Sequence, residues 1–248
     1  MARPPRFFIS PEQVSEPQII VSGEDVRHIV NVLRRKAGDE LLLCDGQGTD
    51  YTVKITRIER SEIATEIISR RERKSRYPLI TLGQGLPKAD KMDFIIQKAT
   101  ELGVFAVVPV VTERTIVKIR DEAKKISRWR KIAREAAMQS NRADIPQVGR
   151  VVSFEEFLRT SALDPGALLL LPWEEGTGSI KSILGQNPGV ERIVVLVGPE
   201  GGFSVAEAAA AKSGGFHPVS LGPNILRAET AAIAVLSMII YEYHWFVP

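Results

Sequence analysis

The sequence predicts an α/β fold built on a mainly parallel sheet, with a smaller β-rich domain ahead of it. Two observations carry this. Downstream of Pro78, short apolar runs alternate with amphipathic stretches of helical spacing, the pattern of strands covered by helices on both faces. Upstream of Pro78, short β-like runs separated by turn residues dominate.

In the first part Ile19 to Val21, Glu40 to Cys44 and Tyr51 to Ile58 read as strands, Asp45-Gly46-Gln47-Gly48 as a turn, and Glu24 to Arg35 as a helix. Ser69 to Tyr77 is polar and basic, lacks apolar periodicity and runs into Pro78, so it reads as a linker. The domains are then expected at 1–72 and 77–248. In the second, Leu79 to Leu82 reads as a buried strand. Asp90 to Leu102 follows as a helix, with Met92, Ile95, Ile96, Ala99 and Leu102 on one face and Gly103 as its stop. Val104 to Val111 is again strand-like. Asp121 to Gln139 is a helix with Ile126, Trp129, Ile132, Ala133 and Ala136 on one face and Lys124, Lys125, Arg128 and Lys131 on the other. Strands are expected at Ala167 to Leu171, Ile193 to Val197 and Pro218 to Leu221, and a long apolar helix at Ala228 to Tyr243.

With 44% apolar and 25% charged side chains, the 248 residues suit one large globular domain or two modest ones. Cys44 is the sole cysteine, which rules out an intrachain disulfide and a cysteine zinc site and points to the cytoplasm. Met1 to Ser10 lacks the apolar stretch of a signal peptide, and Ala231 to Tyr241 is too short to span a bilayer, so no membrane association is expected. Net charge is only +3, but it is uneven: residues 112–142 hold ten Lys or Arg against four Asp or Glu, and residues 151–248 hold five against ten. A second basic cluster stands at Arg70, Arg71, Arg73, Lys74 and Arg76. Such a stripe is either a phosphate-contacting surface or a solvated helix face.

Parallel sheets bind ligands beyond the carboxyl ends of their strands, which directs attention to three loops. These are Leu168 to Gly176, Val197-Gly-Pro-Glu-Gly-Gly-Phe203, and Leu221-Gly-Pro-Asn-Ile-Leu-Arg-Ala-Glu-Thr230. Glycines there allow close backbone approach, and the helices that follow offer N–H donors, although tight turns use the same residues. Arg227 stands where a helix dipole disfavours a cation, so it calls for an anionic neighbour: Glu229 or Glu200, or else a phosphate or cofactor carboxylate. Other motifs fail. Gly176 to Ser182 lacks the glycine that precedes a P-loop lysine, and Gly83 to Lys88 has a lysine where a dinucleotide fingerprint needs its third glycine. His28, His217 and His244 have no metal-ligand spacing, so no metal is expected, and there is no nucleophile elbow.

The second and third loops together resemble those of the SPOUT methyltransferases, specifically the bacterial RsmE family, which methylates N3 of a uridine in 16S ribosomal RNA. The resemblance spans the chain: it includes His28-Ile-Val-Asn-Val-Leu-Arg34, Asp45-Gly46, Lys88, Lys91 to Gly103 and Gln139-Ser-Asn-Arg142. It implies a PUA-like RNA-binding domain at the N-terminus, a C-terminal trefoil knot of a kind that general topology rules admit only as a rare exception, and a homodimer. It also implies that S-adenosyl-L-methionine is held by all three loops. The matching residues are Leu171, Pro172 and Glu174 in the first, Val197, Gly198, Glu200, Gly201 and Gly202 in the second, and Leu221, Gly222, Ile225, Leu226 and Thr230 in the third. Asn224 departs from the family, which often has another arginine there. Arg227 is assigned to the negative charge developing on uracil or to its phosphate, and Glu200 to orienting the base or accepting a proton. Contacts to the RNA, here 16S rRNA within the small subunit, are expected from Arg6, Arg34, Lys88, Lys91 and Arg142, with the basic face from Lys124 to Lys131 as a second surface. Two alternatives stand beside this reading: a ribose 2'-O-methyltransferase of the same superfamily, and a non-catalytic RNA-binding assembly factor.

Overall fold

The computed structural model describes residues 4–72 and 78–243. These divide into two units: Met1–Lys74 with Ala137–Ile145, and Ser75–Ala136 with Pro146–Pro248.

In the first unit, residues alternating between apolar and polar build strands that bury one face. The strands are β1 (Arg6–Phe8), β2 (Val14–Ser15), β3 (Gln18–Ser22), β4 (Glu40–Cys44), β5 (Thr49–Ile58) and β6 (Glu62–Glu72). They form one sheet in the order β1-β4-β5-β6-β3-β2, with β1 parallel to β4 and every other pair antiparallel. Phe7, Ile19, Leu41, Leu43, Val53 and Ile63 pack its core together with Val26 and Ile29 from the helical segment. That segment is α1 (Glu24–Arg27), continued by a π-helical turn over His28–Val32. It stops short of the expected Arg35 because Arg34 takes a left-handed backbone, φ +53°, which no helix continues.

Part of the expected linker is strand. Ser69 to Glu72 form the outer half of β6 and pair with Thr52 to Thr49. All four are exposed, with neither face packed on a core, so their polar sequence carries no period-two signal. Arg70 lies over the Tyr51 ring, 6.0 Å from its centroid. Residues 73–77 of that linker lie outside the described residues.

Ala137–Ile145, placed by the sequence in the second domain, completes the first unit. Phe8 and Cys44 are covered by Ala137, Met138 and Ile145, and Ile145 N–H donates to the Gly46 carbonyl at 3.1 Å. Beneath this cover Arg6, its side chain 4% exposed, pairs with Asp50 at 3.0 Å and donates to the Arg142 carbonyl. Asp50 also accepts the Cys44 thiol at 3.1 Å. Arg6, expected from the sequence to contact RNA, thus has its guanidinium buried and held by the protein itself. Arg142 is similarly withdrawn, 11% exposed and paired with Asp144.

The second unit is a parallel sheet. Its elements are β7 (Leu79–Gly85), α2 (Lys91–Glu101), β8 (Ala106–Val111), α3 (Glu122–Gln139, its last turn belonging to the first unit), β9 (Gln147–Val148), β10 (Val152–Ser153) and α4 (Phe154–Ser161). There follow β11 (Ala167–Pro172), β12 (Gly178–Ser179), α5 (Ile180–Gln186), β13 (Arg192–Val197), α6 (Val205–Ser213), β14 (His217–Ser220) and α7 (Ala228–Glu242). The order is β10-β8-β7-β13-β11-β14-β12, with β9 beside β8. Every pairing is parallel. Leu168 to Leu171 and Val195 to Val197 are continuously buried, as strands covered on both faces require. Phe154, Phe157, Phe203 and Phe216 form a core on one side, and α7 packs with α2 and α5. Among the described residues, no helix is long and apolar enough to cross a membrane, and no group of three or more His, Cys, Asp or Glu could hold a metal ion.

Candidate cofactor pocket

Because β11, β13 and β14 run parallel and adjacent, their carboxyl ends bring three loops to one edge of the sheet. The loops enclose a cleft of about 770 Å³, counting space open to solvent. Pro172, Trp173 and Glu174 line it from the first loop; Val197, Gly198, Pro199, Glu200, Gly202 and Phe203 from the second; and Ser220 to Leu226 from the third. Ala228 and Ala231, one turn apart at the start of α7, complete the wall with small side chains.

Local chemistry shapes the second loop. Gly202 adopts φ +65°, a conformation that L side chains rarely take, and its N–H closes a turn onto the Pro199 carbonyl at 2.9 Å. The buried Gln84 amide at the end of β7 donates to the Gly198 carbonyl at 3.3 Å, and a Cβ on the neighbouring Gly85 would sit 2.5 Å from Pro199 Cδ. Arg114 donates to the Gly201 carbonyl at 2.7 Å. Ser204 then caps α6, accepting from Glu207 N–H at 3.2 Å, while the Glu207 carboxylate takes the N–H groups of Ser204 and Glu113 at 2.9 and 2.8 Å. The loop is thus fixed from β7, from the segment after β8, and from its own helix.

Two carboxylates belong to the wall. Glu174 lies beside Gly202. Glu200 accepts from Lys91 Nζ at 2.9 Å and from the Lys88 N–H at 3.1 Å. Burial alone would raise its pKa, but the hydrogen bonds from Lys91, its own backbone and Lys88, together with the Lys91 charge, hold the carboxyl below the usual carboxylate range.

Of the residues expected to hold a cofactor, Leu171, Gly201 and Thr230 are not on the wall. Leu171 is fully buried beneath the first loop, Gly201 gives its carbonyl to Arg114, and Thr230 is exposed on α7. Arg227 sits between two lining residues as the extended N-cap of α7, exposed and without an ion-pair partner among the described residues. Neither Glu200 nor Glu229 pairs with it, because Lys91 binds both. Arg34 and Lys88 carry exposed side chains. Sequence reasoning missed Trp173, Pro199, Phe203, Ser220, Pro223, Asn224, Ala228 and Ala231. Ser220 and Ala231 directly flank the third loop and the others lie within the loops singled out, with Ala231 three residues beyond Ala228 on the same helix face.

The chain that forms this pocket at the carboxyl edge of a parallel sheet, and the β-rich unit ahead of it, matches two family models. Residues 74–240 match an RNA methyltransferase domain and residues 21–68 an RNA methyltransferase PUA domain, so the class is that of the RNA methyltransferases. The ribosomal RNA small subunit methyltransferase E of Bacillus subtilis is 34% identical over 249 residues, covering 96% of each chain. That of Aquifex aeolicus is 34% identical over 233 residues, 94% of this chain and 97% of its own. The enzyme of that name from Neisseria gonorrhoeae, solved bound to S-adenosyl methionine, superposes with a TM-score of 0.84 at 33% identity, covering 96% of this chain and 98% of that one. A methyltransferase from Legionella pneumophila, also solved with S-adenosyl methionine, gives 0.82 at 32% identity over 97% and 98%. This chain belongs to the family of ribosomal RNA small subunit methyltransferases E.

Proposed function

We propose that the protein transfers the methyl group of S-adenosyl-L-methionine to N3 of a uridine in 16S ribosomal RNA of the small subunit. The observation that carries this reading is the convergence of three strand-end loops on one cleft, in a chain whose relatives bind S-adenosyl methionine. The cleft's composition fits that ligand: Leu221, Ile225 and Leu226 offer apolar surface to an aromatic ring, and Glu174 and Glu200 offer negative charge to a molecule carrying a sulfonium and an ammonium. Bound there, the cofactor supplies a methyl group activated by positively charged sulfur.

The chain's own contribution is chiefly to bind and align, since holding donor and acceptor in line removes much of a transfer barrier. Arg227 is an exposed cation beside the wall with no ion-pair partner among the described residues, and it stabilises the negative charge that uracil acquires when N3 loses its proton, or holds the nucleotide's phosphate. Glu200, already held ionised by Lys91 and the Lys88 N–H, accepts a proton poorly and is suited instead to orienting the base. Arg34, Lys88 and the exposed Lys124 and Lys131 of α3 serve as phosphate contacts; Arg128 is already committed to Asp93. RNA recognition falls to a PUA-like unit at 1–72 that Ala137–Ile145 completes, and methyl transfer to the rest of the domain at 77–248. In the second domain, β13 lies between β7 and β11 and β14 lies beyond β11, an order that supports a trefoil knot. A cytoplasmic homodimer working on the small subunit completes the reading.

Incubating small subunits with the protein and methyl-labelled S-adenosylmethionine, then analysing 16S nucleosides by mass spectrometry, tests it. Label in N3-methyluridine is expected. Label on another base or on a ribose 2'-oxygen overturns the assignment, the latter in favour of the ribose reading.

A further inference from the structure

Lys91, expected from the sequence to touch RNA, is occupied within the protein. It opens α2, and its ammonium nitrogen lies 2.9 Å from Glu200 Oε1 and 3.5 Å from Glu229 Oε2. Three elements meet at this one cation: the start of α2, the loop after β13, and the first turn of α7. Two of them are cofactor walls. Glu200 lines the cleft directly, and Ala228, which also lines it, immediately precedes Glu229, with Leu226 of the same wall two residues before Ala228. The junction is drawn tighter by Lys88, whose N–H reaches both Glu200 oxygens at 3.1 and 3.3 Å. Between Lys88 and Lys91 the backbone takes φ +54° at Ala89, a left-handed conformation that costs a Cβ-bearing residue energy and persists only where neighbours enforce it. Glu229 Oε2 is shielded from solvent, and the Lys91 ammonium at 3.5 Å compensates its burial.

We infer that Lys91 is a positioning residue for methyl transfer: by bridging Glu200 and Glu229 it sets the spacing between the loop after β13 and the start of α7, and with it the shape of the cofactor cleft. This rests on the cleft being the S-adenosylmethionine site. A lysine holding two carboxylates retains its proton strongly. The hydrogen bond to Glu200, opposed by burial and reinforced by the charges of Glu200 and Glu229, keeps the ammonium above its ordinary range. The charge is therefore present throughout neutral pH, as a permanent brace requires. Losing it leaves two carboxylates without a shared counter-ion and frees both walls to move apart.

The test is calorimetric titration of S-adenosylmethionine into wild type, Lys91→Met and Lys91→Arg without RNA, followed by steady-state methylation of small subunits. The Met variant is expected to bind the cofactor about tenfold more weakly, a loss of about 1.4 kcal/mol. Its KM for S-adenosylmethionine should rise in step while its KM for subunits stays put. The Arg variant, able to fork between two carboxylates, is expected to recover most of the affinity. Unchanged cofactor affinity with a raised KM for subunits would make Lys91 an RNA contact and overturn the inference, as would failure of arginine to restore binding. If Lys91→Met does not fold, adding Glu229→Gln removes the uncompensated charge. That double variant should fold and still bind the cofactor weakly, and wild-type affinity in it overturns the proposal. Absence of cofactor binding by the wild-type protein would instead remove the cofactor reading itself.

Discussion

At the first turn of α7 an arginine and a helix dipole of the same sign stand together, and the expected carboxylate partners are both claimed by Lys91. The proposed role of Arg227 toward an incoming anion rests on this arrangement. Arg227→Ala is therefore expected to lower the rate of methyl transfer by about a hundredfold, a typical cost of removing one preorganised charge-stabilising group, while cofactor affinity measured by calorimetry stays within about twofold. Gly85 makes a different demand. A methyl group there would lie 2.5 Å from Pro199 Cδ and 2.6 Å from Pro199 N, so backbone rather than a flexible side chain must yield. Gly85→Ala should cost about 1–3 kcal/mol in a denaturant melt and weaken cofactor binding. The charged residues of the site set its pH response. The Glu200 carboxyl is depressed below its usual 4.5, so its contribution is present above that value and lost only as pH falls through the lower folded value. The Lys91 ammonium is raised above 10.5, so its contribution is present below that value and lost as pH rises through the higher folded one. Cofactor affinity should accordingly be flat between these limits, and a calorimetric inflection near neutrality would show that another group governs it. Single residues were also where sequence misled most. The glycines of the loops were legible because turns need them, but Arg6, Lys91 and Arg142 look like any solvated cation until the fold supplies Asp50, Glu200 and Asp144 beside them.

Helices and strands were legible to the extent that one face of each is wet and the other dry. Met92, Ile95, Ile96 and Ala99 are all buried on α2, and the run at β13 needs covering on both sides, so periodicity located both within a residue or so. The signal vanished where neither face is buried, as along Ser69 to Glu72. The capping of α6 offers a test at this scale. Ser204 and Glu207 exchange hydrogen bonds across the first turn, and Glu207 also holds the backbone of Glu113. Ser204→Ala should cost about 1 kcal/mol, the usual value of an N-cap hydroxyl, and should show as a lower melting temperature without loss of cofactor binding once folded.

Between elements, connectivity is invisible to periodicity: nothing in the run Arg192–Val197 announces that it slots between strands made much earlier, and nothing in Ala137–Ile145 announces that it finishes the N-terminal unit. The latter has a measurable consequence. A fragment ending at Glu72 keeps its sheet but loses the cover over Phe8 and Cys44 and the carbonyl that receives Arg6. Its β1 and β4 amides should be about 2 kcal/mol less protected from hydrogen exchange than those of the full chain, and equal protection would mean the segment contributes no stability. The place of β13 bears on manufacture of the chain. When β11 has been made, β7, β8 and β10 can already be joined, but β11 itself has no neighbour, because β13 and β14 both lie later in the chain. A chain truncated between Pro172 and Arg192 therefore presents the apolar strand β11 open on both edges, and it is expected to aggregate where the full chain does not.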